Sequence, residues 1–447
     1  MIPTRARGLI VAAPSSGSGK TLVTLATLRY LSTNGCKVMS AKVGPDYIDP
    51  AFHACASGQS CANLDTWAMR RATLCDELER LCRDSDLVVI EGVMGLFDGA
   101  GCDDDLTDGS TASLARMTGW PVILVVDARA QAASAAAVVR GFVSHASDVN
   151  VAGVIFNQVG SDRHAGILRR ACARHLPDMP VLGCLPRAPD LILPERHLGL
   201  VQAVEHSGLE AFLQSASSWI GQHVDMAALQ NLARPSITFR SAHPSPAIPP
   251  LGQRTAVASD PAFAFQYAGV ITGWRNAGVE VLPFSPLAGD GPPRQADSVY
   301  LPGGYPELHA GVLASNGFIG KLRAAAATGI PTFGECGGFM VLGNRLIDGD
   351  GNSHEMAGLL DVETSFADRK LHLGYRQMTS LAQSPLGPPG TRLRGHEFHY
   401  ARISSNGSDR PLFDIRDASG TDLGSMGLVR ASIAGSFCHV IDVRDDG

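Results

Sequence analysis

Two short segments of this 447-residue chain carry side chains whose types and spacing suit group transfer. The first is Pro14-Ser15-Ser16-Gly17-Ser18-Gly19-Lys20-Thr21, which follows an apolar run and opens a helical pattern. That is the setting a phosphate-cradling loop requires. Backbone N–H groups of Ser16, Gly17, Ser18 and Gly19 would face phosphate oxygens at the positive end of a helix. Lys20 would reach the terminal phosphates of ATP, and the Thr21 hydroxyl would ligate Mg²⁺. The usual pattern has glycine where this chain has Pro14, so the match is irregular at its first position. Two acidic runs suit the metal: Lys42-Val43-Gly44-Pro45-Asp46-Tyr47-Ile48-Asp49 and Glu91-Gly92-Val93-Met94-Gly95-Leu96-Phe97-Asp98-Gly99. Each ends a strand-like segment, and carboxylates there converge on the crevice where α/β sheets bind ligands. Asp49 taken alone also reads as a cap or turn residue, whereas the glycine-rich surroundings of Glu91 favour a ligand.

The second segment is Gly334-Glu335-Cys336-Gly337-Gly338, between an apolar strand and a helical run. This is the thiol form of the strand–turn–helix nucleophile elbow. A cysteine at a helix N-terminus is expected to have a lowered pKa and to favour thiolate. The earlier turn Leu301-Pro302-Gly303-Gly304-Tyr305-Pro306-Glu307 could donate a backbone N–H to an oxyanion hole, with a second from Gly337. A base must come from a distant histidine. Of the 14 histidines, His439 stands out at the end of an apolar run after Gly435-Ser436-Phe437-Cys438. His396 and His399, in Gly395-His396-Glu397-Phe398-His399-Tyr400, are its rivals. That pair could also be read as metal ligands, but the spacing is loose and no third ligand is evident. A substrate-contacting or structural role suits them better.

These residues need positioning elements, and the chain supplies two series of them. Segments 8–13, 37–43, 86–91, 121–127, 151–157 and 181–185 are strand-like, most of them β-branched and bounded by Gly, Pro or Asp. Helical patterns at 20–32, 66–83 and 131–144 lie between them. Such alternation implies a mostly parallel sheet covered on both faces. The Pro-rich stretch 237–253 reads as a linker between domains 1–236 and 254–447. The second half restarts with strands at 255–259, 279–283, 298–302 and 331–334, and helices at 263–277 and 318–327. The fold class is therefore α/β in two domains.

Composition excludes several classes. Apolar residues make up 45% and charged residues 18%, and the net charge is −6 with no long like-charge run, so no nucleic-acid partner is expected. No stretch approaches the roughly 18–20 apolar residues a bilayer span needs. The short apolar run at 8–13 leads into the glycine-rich loop and reads as a strand, not a signal peptide, so a cytoplasmic location is expected. The ten cysteines form no CxxC pair, which speaks against a zinc ribbon.

Together with Lys42-Val43-Gly44-Pro45-Asp46-Tyr47-Ile48-Asp49-Pro50, these motifs resemble the cobyrinic/hydrogenobyrinic acid a,c-diamide synthases of vitamin B12 biosynthesis, over almost the whole chain and in the same order. The front half is similar to dethiobiotin synthetase and the back half to triad-type (class I) glutamine amidotransferases. The resemblance implies a P-loop amidoligase domain that phosphorylates a corrin acetate with ATP, and a Cys336 glutaminase that supplies ammonia by a protected route. It implies Lys20, Thr21, Asp46 and Glu91 at the ATP–Mg²⁺ positions and Lys42 as a second phosphate contact. Tyr47, Asp49 and Asp98 fall at corrinoid or amidation-order positions, and Asn157 at an adenine contact. Partners are then small molecules: the corrinoid, L-glutamine and ATP. A homodimer is allowed but not legible. One position departs from the triad pattern: the acid usually two residues after the histidine is Ile441, with Asp442 next. Cobyric acid synthase, a P-loop regulator with an inactive glutaminase half, and a non-enzymatic corrinoid-binding scaffold stay open as alternatives. So does the metal content of the ring.

Overall fold

A computed structural model of the chain describes residues 6–83, 85–101, 104, 106–193, 195, 196, 199, 200, 202–206, 208–235 and 245–444. Cys102 and residues 237–244 of the Pro-rich stretch lie outside the described residues. The chain divides into two compact units, Met1–Trp67 with Leu74–Ala242, and Ala68–Thr73 with His243–Gly447.

The first unit is built on parallel strands β1 (Arg7–Ala12), β2 (Val38–Val43), β3 (Cys61–Leu64), β4 (Leu87–Glu91), β5 (Val122–Asp127), β6 (Val151–Val159) and β7 (Val181–Pro186). Their order in the sheet is β3-β2-β4-β1-β5-β6-β7. The strands read as unbroken apolar runs because both faces are covered; β4, Leu87-Val88-Val89-Ile90-Glu91, is buried throughout. Helices α1 (Lys20–Thr33) and α2 (Asp49–Ser57) serve crossovers running toward β3, while α3 (Ala135–His145) and α4 (Asp162–His175) serve crossovers running toward β7. Right-handed crossovers running opposite ways put the two pairs on opposite faces. The direction of winding reverses at β1, and the loop after β1 therefore opens into the crevice where such sheets bind ligands.

The second unit carries β8 (Arg254–Ala258), β9 (Glu280–Phe284), β10 (Ser298–Leu301) and β11 (Thr332–Glu335), all parallel, followed by an antiparallel meander. The meander is β12 (His372–Ser380), β13 (Arg392–His399), β14 (Arg410–Arg416), β15 (Asp422–Arg430), β16 (Ile433–Ser436) and β17 (Cys438–Val443). The ten strands run β9-β8-β10-β11-β16-β15-β14-β12-β13-β17, with β16 parallel to β11. Phe263, Leu301, Phe318, Phe339, Leu342 and Phe437 belong to one buried cluster here. Residues 245–253 pack on this unit: Ile248 and Leu251 are buried, and the Trp274 indole donates to the Ile248 carbonyl at 2.9 Å. Six residues from early in the chain complete the unit. Arg70 Nε donates to Asp442 Oδ1 at 2.9 Å and its backbone N–H to Oδ2 at 2.8 Å. The nine described cysteines are free. Among the described residues no helix is long and apolar enough to cross a membrane.

Candidate functional site

The loop after β1 has the conformation its small residues permit. Gly17 and Gly19 take φ of 76° and 89°, and Gly19 caps α1. A Cβ on Gly19 would collide with the Asn157 side chain. Asn157, at the end of β6, donates from Nδ2 to the Ser18 carbonyl at 3.0 Å and accepts the Gln158 N–H at its Oδ1. It therefore braces the loop, with one hydrogen bond to backbone at each functional end of its amide. Lys20 is buried, and its ammonium donates to the Met94 carbonyl at 2.5 Å and more weakly to Ser15. Burial, then Lys42, lowers its pKa to about 8. A cavity of about 330 Å³ adjoins the loop, lined by Pro14, Ser15, Ser18, Asp127, Arg129 and Gln131 among others.

The acidic runs meet beneath this loop. Glu91 is fully buried; its Oε1 accepts from Thr21 Oγ1 at 2.7 Å and from Lys42 Nζ at 2.7 Å. Its Oε2 lies 2.7 Å from His53 Nε2, and Lys42 also donates to Asp49 Oδ2 at 2.6 Å. Burial opposes every charge in this cluster. Lys42 and His53 nevertheless hold the Glu91 carboxyl well below the usual range, and Asp49 and Glu91 hold the Lys42 ammonium above its own. Asp49 itself is pushed up to about 7 by burial and by Asp46, against the pull of Lys42. Asp46 Oδ1 accepts the N–H groups of Ile48 and Asp49 at the start of α2. Asp98 accepts the Gly95 N–H at 2.8 Å, curling the loop after β4 back on itself, and Tyr47 is buried. Thr21 and Glu91 offer a hydroxyl and a carboxylate side by side, which fits Mg²⁺, an ion that needs few protein ligands once phosphates are bound. His53 was not singled out from the sequence. The signal was its place four residues after Asp49, on the same face of α2.

In the second unit β11 delivers Cys336 to a sharp turn, φ 46° and ψ −104°, followed by helix α6 (Gly337–Leu342), after α5 (Leu209–His223) of the first unit. Positive φ at a non-glycine residue with this ψ is the strain of an elbow. Its glycines are needed for close approach: a Cβ on Gly338 would strike the Leu301 carbonyl, and one on Gly334 would sit 2.7 Å from the Gly338 backbone. The predicted partners converge on the same point. A Cβ on Gly303 would collide with His439 Cε1, reach 2.9 Å from His439 Nε2 and 3.3 Å from Cys336 Cβ. One on Gly337 would lie 3.0 Å from the Gly304 nitrogen. Cys336, His439, Gly303, Gly304 and Gly337 thus lie together at one buried point.

The expectation of a helix-activated thiolate is not met in the free protein. Burial pushes the Cys336 thiol up, the Glu307 carboxylate adds to it, and the Gly337 N–H offsets only part. A six-residue helix cannot outweigh full desolvation. His439 is lowered to about 3 by burial and by His396 and His399, so it rests neutral and able to accept a proton. Among the rivals, His396 lies across from His439 in the β13–β17 register. His399 donates from Nδ1 to the Ala401 carbonyl and sits 2.8 Å from Glu397 Oε1, a carboxylate also held by Arg376. His372, Glu397 and His399 group closely enough for a metal, within 4.8 Å. The two imidazoles stack 7° from parallel, however, so their in-plane lone pairs do not converge on one ion.

Sequence reasoning also passed over Glu335. It is fully buried, accepts the Tyr300 hydroxyl at 2.7 Å and the Val440 N–H at 2.9 Å, and its Oε2 lies 3.8 Å from His439 Nδ1. Burial raises its carboxyl to about 7 despite these two donors. Asp442, the nearest acid after Ile441 in sequence, is instead bound to Arg70.

Comparison with known proteins agrees with both halves. Residues 9–201 match the CobQ/CobB/MinD/ParA nucleotide binding domain, and residues 254–446 match the CobB/CobQ-like glutamine amidotransferase domain. The chain is 52% identical over 438 residues to a Brucella anthropi protein named hydrogenobyrinate a,c-diamide synthase, covering 98% of each. Proteins of the same name from Rhizobium meliloti and Rhodobacter capsulatus are 51% and 49% identical, over 98% and 97% of this chain and 100% and 98% of theirs.

Proposed function

The chain belongs to the hydrogenobyrinate a,c-diamide synthase family, and on that premise we propose that it amidates the a and c acetates of metal-free hydrogenobyrinate in the cytoplasm. It is a glutamine-hydrolysing carbon–nitrogen ligase with a nucleotide-binding half and an amidotransferase half. The observation that carries the substrate reading is end-to-end similarity to relatives that bear this one name.

In the first unit a corrin carboxylate oxygen attacks the γ-phosphorus of ATP, forming an acyl phosphate and releasing ADP. Ammonia then adds to the acyl carbon, and phosphate leaves with the C–O bond electrons, giving the amide. A free carboxylate cannot do this, since its leaving group would be oxide. Lys20 and the N–H groups of Ser16, Gly17, Ser18 and Gly19 hold the phosphates. Thr21 and Glu91, with Asp46, would hold Mg²⁺, which neutralises charge on the transferring phosphoryl group. Tyr47, Asp49 and Asp98 face the corrinoid in this reading. In the second unit the Cys336 sulfur attacks the glutamine side-chain carbonyl while His439 takes the thiol proton. His439 returns that proton to the departing nitrogen, and water hydrolyses the thioester to glutamate.

The reading is tested by incubating enzyme, ATP and glutamine with hydrogenobyrinate and with cobyrinate in parallel, with mass spectrometry of the products. A two-amide gain on the metal-free ring is expected. Equal or preferential turnover of the cobalt ring, or amidation at other side chains, overturns it. In Cys336→Ala, glutamine-dependent amidation should vanish while ammonia-dependent amidation persists. Loss of both would refute separate chemistry in two halves.

A further inference from the structure

The glutaminase reading leaves one element of its chemistry without an assigned residue: the acid that aims the histidine. We propose that Glu335, the residue immediately before the nucleophile, is that positioning residue, accepting the Nδ1–H of His439 so that Nε2 faces the Cys336 thiol. Three observations carry this. First, Glu335 Oε2 lies 3.8 Å from His439 Nδ1, both groups being fully buried. Second, the carboxyl is held at both ends, by the Tyr300 hydroxyl from β10 and by the Val440 N–H, which belongs to the residue after His439 itself. Third, the acids on the His439 strand and on the strand paired with it are committed elsewhere. Asp442 is bound to Arg70, Glu397 to Arg376 and His399, and the position two residues after His439 is the apolar Ile441.

The groups facing this pair are few. Tyr267 meets the His439 ring edge-on at 6.4 Å, and His396 and His399 bear on it from β13. Tyr300 faces the carboxyl, and Cys336 lies beyond. A movement of about 1 Å would bring Nδ1 and Oε2 into hydrogen-bond range, and catalytic hydrogen bonds in free enzymes often tighten that way on substrate binding. The proton balance is unchanged by Glu335. The thiol proton moves to Nε2 as the S–C bond forms, then to nitrogen as the C–N bond breaks. In the second half, Nε2 takes a proton from water as the new C–O bond forms and returns it to sulfur as the C–S bond breaks. Glu335 keeps the imidazole in the tautomer with hydrogen on Nδ1 and stabilises the imidazolium formed in between. The same acid thus reaches the histidine from the nucleophile's own strand.

The test is Glu335→Gln in the full chain, with glutamine-dependent and ammonia-dependent amidation measured side by side. Expected is a fall of about 10²-fold or more in glutaminase kcat, with the KM for glutamine and the ammonia-dependent rate held. The pH at which iodoacetamide alkylates Cys336 should shift with it. Wild-type glutaminase kcat in this variant overturns the proposal. If Glu335→Gln loses the ammonia-dependent rate as well, Tyr300→Phe decides. Removing that donor should raise the Glu335 pKa and move the acid limb of glutaminase kcat to higher pH; a profile superimposable on wild type overturns the proposal. Failure of Cys336→Ala to lose glutamine dependence would instead indict the glutaminase reading itself.

Discussion

Lys20 and Lys42 are both buried beside the same loop, yet they rest in opposite electrostatic states. Lys42 sits between two carboxylates, while Lys20 has only carbonyl partners and a pKa lowered to about 8. Lys20 is therefore the side chain with the most to gain from an arriving phosphate. Lys20→Ala is expected to cut both glutamine- and ammonia-dependent amidation by about 10²–10³-fold, as loss of one preorganised donor does. The KM for ATP should rise as pH passes above about 8 in the wild type, because the free enzyme then loses the ammonium; steady-state kinetics in ATP across pH 7–9.5 check this. Residue proximity was legible wherever a motif carried it: Thr21 meets Glu91 beneath the loop that holds Lys20, and Cys336 lies beside His439. Glu335 and His53 were not legible. Their roles depend on partners 104 and 38 residues away, a pairing that spacing along one chain does not report.

Elements were read well where both faces of a strand are apolar, as in β1, β4 and β5, because the pattern then survives without knowledge of neighbours. The antiparallel meander from β12 to β17 was not foreseen. Several of its strands are part-exposed and polar, for example His372-Leu373-Gly374-Tyr375-Arg376, and their pairing is long-range. The elbow between β11 and α6 was readable from its glycines, and the clash geometry gives them a measurable cost. Gly338→Ala must push against the Leu301 backbone and should destabilise the chain by about 1–3 kcal/mol, with loss of glutaminase activity. Gly320 provides the opposite case. It lies inside helix Phe318–Ala326 with open space around its would-be Cβ, so Gly320→Ala should raise stability by roughly 0.5–1 kcal/mol. Thermal unfolding of the two variants side by side checks both signs.

At the scale of the molecule, two buried histidines of the second unit, His439 and His396, weaken the fold in acid. His439 and His396 have folded-state pKa values of about 3 and about 4, below the 6.5 of an exposed histidine. The unfolded chain takes up their protons first, so their contribution to stability is present above pH 6.5 and is lost as pH falls from 6.5 toward 3. Glu335, raised to about 7 from 4.5, works the other way and favours the fold below pH 4.5, fading as pH rises through 7. Between pH 7 and pH 4 the urea midpoint of His396→Gln should therefore fall less, or rise more, than that of the wild type. The Arg70–Asp442 pair has a different consequence, in the order of synthesis. Asp442 is fully buried, and a buried carboxylate deprived of its guanidinium is costly. Arg70 leaves the ribosome 372 residues before its partner. It must wait through nearly the whole of translation, so the second unit cannot close its core until the last strand, β17, has emerged.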